Sequence, residues 1–183
     1  MAAELTLEQI IAFLVDAPMF GDLDSNELSQ IVHVMQVQQL RPGQWVFREG
    51  DPGDAWYVVY EGEVEVVKES AATADRDAGE RVIAILGRRA CFGEMAILDG
   101  SPRSASVRAT RALTAFRFPR QQFSKLLADG NLAAYKLVYQ ISLVLVSRQR
   151  RTTHRLVELL AVTDQEGLVD GLTPIVDQSS VAE

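Results

Sequence analysis

Cys91-Phe92-Gly93-Glu94-Met95-Ala96-Ile97-Leu98-Asp99-Gly100-Ser101-Pro102-Arg103-Ser104-Ala105-Ser106-Val107 is the stretch on which the reading of this chain turns. Gly93 permits a close backbone approach and is followed at once by an acid, Glu94. Met95 to Leu98 supply about one turn of helix-compatible apolar residues. Asp99-Gly100-Ser101-Pro102 then breaks the helix and turns the chain. Arg103 emerges from that turn, ahead of a strand-like run from Ser104 to Arg108. A short helix with an open N-terminus, and an arginine folding back toward it, make an anion site. Free N–H groups and the helix dipole favour a phosphate, and Arg103 adds a bidentate, charge-assisted contact. Glu94 cannot help to hold an anion, but an acid in that place suits a sugar hydroxyl. Phosphate plus ribose in so compact a loop suggests a small nucleotide with a single phosphate.

The same residues carry a resemblance. Phe92-Gly93-Glu94-Met95-Ala96-Ile97-Leu98, followed by Pro102-Arg103-Ser104-Ala105-Ser106-Val107, resembles the phosphate-binding cassette of cyclic nucleotide-binding domains. That family includes protein kinase A regulatory subunits and the bacterial catabolite activator protein, and the resemblance spans roughly residues 10 to 155. It implies that Glu94 binds the ribose 2′-hydroxyl and Arg103 the exocyclic phosphate oxygen. Backbone N–H groups near Gly93, Ala96 and Ala105 complete the cradle, with Phe92, Met95 and Ser104 alongside. Further on, Ser147-Arg148-Gln149-Arg150-Arg151-Thr152-Thr153 resembles the helix that covers the base in the catabolite activator. Aligned without gaps, Thr152 takes the place of a same-chain contact to adenine and Thr153 that of a contact from the partner subunit. Arg148 is counted with this ligand-binding set. The alternative is that both threonines are ordinary exposed helix residues. At Ser104 the kinase branch has alanine with cAMP, or threonine with cGMP, where the hydroxyl reaches the guanine amino group. The catabolite activator has serine there, so cAMP is favoured over cGMP.

Composition bounds the remaining options. A chain of 183 residues with 48% hydrophobic and 23% charged residues reads as a soluble globular domain with extensions. A net charge of −7 argues against a nucleic-acid partner. The single cysteine, Cys91, rules out an internal disulfide and a cysteine-ligated iron–sulfur cluster. The start has no positive region and no cleavage-site pattern, and no apolar run approaches the ~18 residues that span a bilayer. A cytoplasmic protein with no membrane association is expected. His33 and His154 lie on different helices with no metal-ligand spacing, so neither a metal nor phosphodiesterase chemistry is expected.

The expected fold is α+β. It is a jelly-roll-like antiparallel β-roll of about eight strands, with N-terminal helices, a short cassette helix and a long C-terminal helix. Residues 1–35 form an N-terminal helical segment, with capping boxes at Thr6/Gln9 and Asp24/Glu27 and helices to about Ala17 and Met35. Residues 36–130 form the roll, with the cassette at 92–107. Short alternating segments around Val37, Trp45, Phe47, Trp56, Val58, Tyr60, Val64 and Val66 mark its strands. Gly50 and Gly53 are free to take positive φ in an acidic turn, where Asp51 and Asp54 lack calcium-loop spacing and read as solvated. Glu69 to Gly79 reads as a flexible hairpin loop and Arg81 to Leu86 as a buried strand.

Residues 131–162 form a long lid and dimerisation helix, and 163–183 an acidic, flexible tail with five acids and no lysine or arginine. Along the helix, Val138, Ile141, Leu145, Arg148, Thr152 and Leu159 follow an imperfect heptad-like spacing. A helix of roughly 45 Å is too long for one small roll to cover, which favours a homodimer. The alternative is a helix folded back on its own roll. The basic cluster Arg148, Arg150, Arg151 and Arg155 is a solvated face or the dock of an acidic downstream protein. No winged helix-turn-helix pattern follows. The expected function is a non-catalytic cyclic nucleotide sensor that signals by helix movement, either alone or as the sensor portion of a longer regulator. A nucleotide-free structural protein on the same fold is the alternative.

Overall fold

The computed structural model describes residues 5–70 and 79–165. Helix α1 (Leu7–Val15) starts at Thr6, whose hydroxyl accepts from the Gln9 amide while the Gln9 side chain reaches back, the expected capping box. A 3₁₀ turn (Pro18–Phe20) buries Met19 and Phe20. Helix α2 (Ser25–Val32) opens on the second box, Asp24/Glu27, and ends three residues before Met35. Strands β1 (Gln36–Leu40), β2 (Trp45–Phe47), β3 (Ala55–Glu61), β4 (Val64–Ser70), β5 (Gly79–Leu86) and β6 (Cys91–Phe92) follow. Helix α3 (Met95–Asp99), strands β7 (Ser106–Ala109) and β8 (Leu113–Pro119), helix α4 (Arg120–Ala128) and helix α5 (Leu132–Gln165) complete the order.

Among the described residues the strands form two four-stranded antiparallel sheets, β1-β8-β3-β6 and β2-β7-β4-β5. The alternation of β3 and β8 explains how one strand serves two cores. Ala55, Tyr57, Val59, Leu113 and Ala115 point into the roll, where they meet Val64, Phe92, Val107 and Ala109. The intervening residues Trp56, Val58, Phe116 and Phe118 are also buried. Trp56 stacks on Phe118 at 4.2 Å and lies 6.0 Å from Phe20, and Phe13 meets Phe116 edge-on at 5.5 Å. The N-terminal helical segment is thus pinned to the sheet that carries β6 into the cassette. The start of α5 is tied down as well. Asn131 caps it through the Ala134 amide, Lys136 pairs with Glu27 at 2.6 Å, and Gln140 donates to Asp22.

Five expectations need correction. The 81–86 strand is not buried: Val82, Ile83 and Ile85 are 51–64% exposed. As β5 it stands at the end of its sheet, paired to β4 alone among the described residues. Gly53 is not a positive-φ residue. Its side-chain position is filled, because a Cβ there would lie 2.1 Å from the Ala96 methyl. In the proposed helix seam Ile141 is fully buried within the first unit and is lost to a partner. The hairpin loop expected from Glu69 is strand as far as Ser70 and again from Gly79; residues 71–78 lie outside the described residues. The chain divides into two compact units, 1–142 and 143–183, and α5 runs through the boundary. It continues to Gln165, so the first three residues of the expected tail are helical, and the rest of the tail, 166–183, lies outside the described residues. No helix among the described residues is long and apolar enough to cross a membrane.

Candidate functional site

Strand β6 delivers the chain to the site. Phe92 pairs with Tyr57 of β3 and stacks on its ring at 5.1 Å, nearly parallel. Gly93 then takes φ +74°, and a Cβ there would come within 2.8 Å of the Arg103 Nη1. Glycine is needed at this point twice over, for the left-handed conformation and for the approach of the guanidinium. Glu94 follows as the N-cap of α3, 2% exposed, without a side-chain capping bond. Ala96 is buried against Gly53, while Met95 is half exposed. Gly100, at φ +74°, ends α3 in the left-handed cap that favours glycine. The Asp99 carboxylate accepts from the Ser101 amide at 2.9 Å, which holds its pKa below the usual aspartate range.

Arg103 is the centre of the arrangement. Its backbone is clamped to the 50–54 turn: its N–H donates to the Asp51 carbonyl and its own carbonyl accepts from Gly50, both at 2.9 Å. Its guanidinium folds back on the cassette, as expected, and Nη1 donates to the Gly93 carbonyl at 3.1 Å. Nη2 donates to Asp54 Oδ1 at 3.1 Å. The guanidinium carbon sits 4.1 Å over the Phe47 ring and 5.9 Å from that of Tyr57. The residue is 4% exposed, and its Nε–H is buried without an acceptor. Burial lowers its pKa from the ordinary arginine value, with Tyr57 and Asp54 pulling the other way. It stays charged all the same. A cation folded back onto the Gly93 carbonyl, with a buried carboxylate next in sequence at a helix start, is suited to a small anion that carries a hydroxyl-bearing ring.

Sequence reasoning missed the supports. Asp54, read as a solvated turn acid, bridges Arg103 and Arg117, the latter at 2.6 Å. Phe47 and Tyr57 form the apolar wall of the guanidinium. These partners stand 46 to 56 positions from Arg103, and nothing local marks them. A hollow of about 880 Å³ is lined by Gln36, Pro52, Asp54, Pro102, Arg117 and Arg120 among others, but not by Gly93, Glu94 or Arg103. It reaches the cassette only at Gly100 and Pro102, and its Arg117 is already engaged by Asp54 and Gln36. Among the described residues no cluster of histidine, cysteine, aspartate and glutamate is placed to hold a metal.

The expected ligand residues therefore divide. Phe92, Gly93, Glu94, Ala96 and Arg103 are brought together around one turn, with Ser104 and Ala105 following Arg103. The Ser104 hydroxyl faces the Met95 sulfur at 3.9 Å. Arg148, Thr152 and Thr153 lie on the part of α5 that belongs to the second unit. Both threonines are exposed there, and the Thr152 hydroxyl donates to the Arg148 carbonyl at 3.0 Å.

Residues 37–129 match the cyclic nucleotide-binding domain family. Over 116 residues, 63% of its length, the chain is 34% identical to a cAMP-dependent protein kinase regulatory subunit of Emericella nidulans, of which it covers 26%. Over 156 residues, 85% of its length, it is 28% identical to a CRP-like cAMP-activated global transcriptional regulator of Mycobacterium tuberculosis, of which it covers 65%. The solved structure of a cyclic nucleotide-binding domain from Methylobacillus flagellatus KT superposes with a TM-score of 0.71 at 29% identity, covering 82% of each chain. The chain thus spans between about a quarter and two thirds of these curated relatives.

Proposed function

The chain belongs to the cyclic nucleotide-binding domain family, and from that premise we propose that it is a non-catalytic receptor for a cyclic purine mononucleotide, cAMP favoured over cGMP. The observation that carries this reading is the Arg103 guanidinium, folded back onto the Gly93 carbonyl at the start of α3, with the buried Glu94 next in sequence. Arg103 neutralises the ring-closed phosphodiester, and Glu94 accepts from the ribose 2′-hydroxyl. Amides near Gly93, Ala96 and Ala105 complete the cradle. Phe92, Met95 and Ser104 line the remainder. Arg148, Thr152 and Thr153 form the base-covering part of the ligand set.

Signalling follows from differential contacts. A ligand shifts a conformational equilibrium only by what it gains in one state over the other. Here the gain is a phosphate contact for Arg103 beyond its ion pair with Asp54, and Phe92, Met95 and Leu98 repack as the cassette draws in. Helices α4 and α5 carry the change. The chain pairs with a second copy along α5. The exposed residues Tyr139, Leu143, Val146, Arg150, Thr153, Val157 and Leu160 recur at alternating steps of four and three, a heptad seam. This seam includes Thr153 and replaces the one through Ile141. The arginine cluster of α5 is the surface for an acidic downstream protein, and the setting is the cytoplasm. Residues 36–130 act as the nucleotide-binding roll and 131–162 as lid and dimer helix.

One observation favours a second reading, a ligand-free interaction protein: Asp54 already compensates the charge of Arg103. Calorimetric titration with cAMP, cGMP and a cyclic dinucleotide separates the two. The receptor reading predicts saturable binding of the mononucleotides with one site per chain, lost in Glu94→Ala and Arg103→Ala. Absence of binding by all three ligands sinks it.

A further inference from the structure

Lys68, on β4, meets the cassette at the residue that follows Arg103. Its ammonium donates to Glu49 Oε1 at 2.5 Å and to the main-chain carbonyl of Ser104 at 2.8 Å. Ser104 is the position that the family resemblance ties to base choice, and Lys68 is anchored to its main chain. The anchor is firm. The Glu49 N–H donates to the Ser106 hydroxyl at 2.9 Å, and its second carboxylate oxygen is buried, beyond the reach of a ligand. An ammonium has three protons. Two are engaged, and among the described residues the third has no acceptor, on a side chain that remains 47% exposed.

The chemistry of purine edges decides what that proton can read. Guanine presents two adjacent acceptors, O6 and N7, whereas adenine presents N7 beside an amino donor. An ammonium donates and never accepts, so beside the six-position it gains from an oxo group and gains nothing from an amino group. We propose that Lys68 is a base-reading residue that donates to the 6-oxo edge of a cyclic purine nucleotide and offsets the preference for cAMP. The assignment rests on the receptor reading of the cassette. It sets a lysine on β4 that suits the oxo group against the preference for cAMP.

The test is calorimetric titration of the full chain with cAMP, cGMP and cIMP. Inosine carries the 6-oxo group and lacks the 2-amino group, so cIMP separates Lys68 from any contact that Ser104 makes to the guanine amino group. Lys68→Met should weaken cGMP and cIMP by about tenfold or more, the effect of losing a charged hydrogen bond, and leave cAMP within about threefold. Lys68→Arg, which keeps a cationic donor, should retain the original ratios. Equal weakening of all three would reduce Lys68 to a brace for the cassette and overturn the assignment. So would unchanged ratios, or a loss confined to cGMP. Should Lys68→Met not fold, the unaltered protein decides. It must bind cIMP about tenfold more tightly than the cyclic monophosphate of unsubstituted purine riboside, and equal affinity overturns the assignment. Failure of the unaltered protein to bind any of these nucleotides overturns the receptor reading and this one together.

Discussion

Gly53→Ala is the smallest change that should disturb the cassette from outside it. The new methyl would lie 2.1 Å from the Ala96 Cβ, 2.9 Å from the Ser101 carbonyl and 3.3 Å from the Ala96 Cα. Two carbons rest at about 3.5–4.0 Å, so α3 and the 50–54 turn must part by roughly 1.5 Å. Neither side yields easily. Arg120 donates its N–H to the Asp54 carbonyl at 2.7 Å, and the Arg103 N–H is bound to the Asp51 carbonyl. Overpacking of this kind costs about 1–3 kcal/mol. Against it stands the lower chain entropy of an unfolded alanine, about 0.4–1 kcal/mol at a compatible φ. The expected net loss is about 1–2 kcal/mol in urea denaturation, with weaker cAMP binding because Glu94 opens α3. Ala96→Gly removes the methyl that clashes, at about 1 kcal/mol of helix propensity and ~0.8 kcal/mol of lost burial. In the double variant the 2.1 Å contact is gone, and its stability should exceed the sum of the single effects by at least about 1 kcal/mol. If Gly53→Ala proves as stable as the parent, or if the two losses simply add, the packing argument is wrong.

Arg103→Ala should weaken cyclic nucleotide binding by at least about 1.5–3 kcal/mol, and calorimetry that finds affinity within twofold of the parent refutes the phosphate assignment. Asp54→Ala leaves the buried Arg103 and its neighbour Arg117 without their shared carboxylate, and should cost roughly 1–3 kcal/mol of stability in urea, with Asp54→Asn recovering part. Thr152→Ala should lower the preference for cAMP over cGMP without moving the thermal midpoint, and an unchanged ratio speaks against that contact. Glu27 has its pKa lowered by the Lys136 hydrogen bond and by the Asp24 amide, and Lys136 has its own raised by Glu27. Stability from Glu27 is therefore present above the ordinary glutamate range and lost as pH falls through the depressed value. That from Lys136 is present below the ordinary lysine value and lost as pH rises through the raised one. Urea midpoints should form a plateau between these limits, and Lys136→Met should flatten both edges.

Local chemistry was legible in the sequence, and distant chemistry was not. The two capping boxes each need only residues three apart, and both form as the sequence implies. The cassette turn is likewise local: glycine, acid, apolar turn and arginine lie within eleven positions and fold onto one another. Strand β5 misled because Val82-Ile83-Ala84-Ile85 has the composition of a buried strand, while its exposure is set by what packs on the faces of its sheet. The dimer seam misled for a related reason. Helix α5 is apolar on two adjacent faces, and spacing alone does not tell which one the chain's own core consumes; Ile141 lies on that face. Asp54 was invisible because its two arginine partners are 49 and 63 positions away.

The account stands or falls on the crystal structure of the chain grown with saturating cAMP. It predicts one cAMP in each chain, with a phosphodiester oxygen about 2.7–2.9 Å from an Arg103 nitrogen and the ribose 2′-hydroxyl on the Glu94 carboxylate. A cassette that stays empty under those conditions, or a nucleotide seated elsewhere, contradicts it.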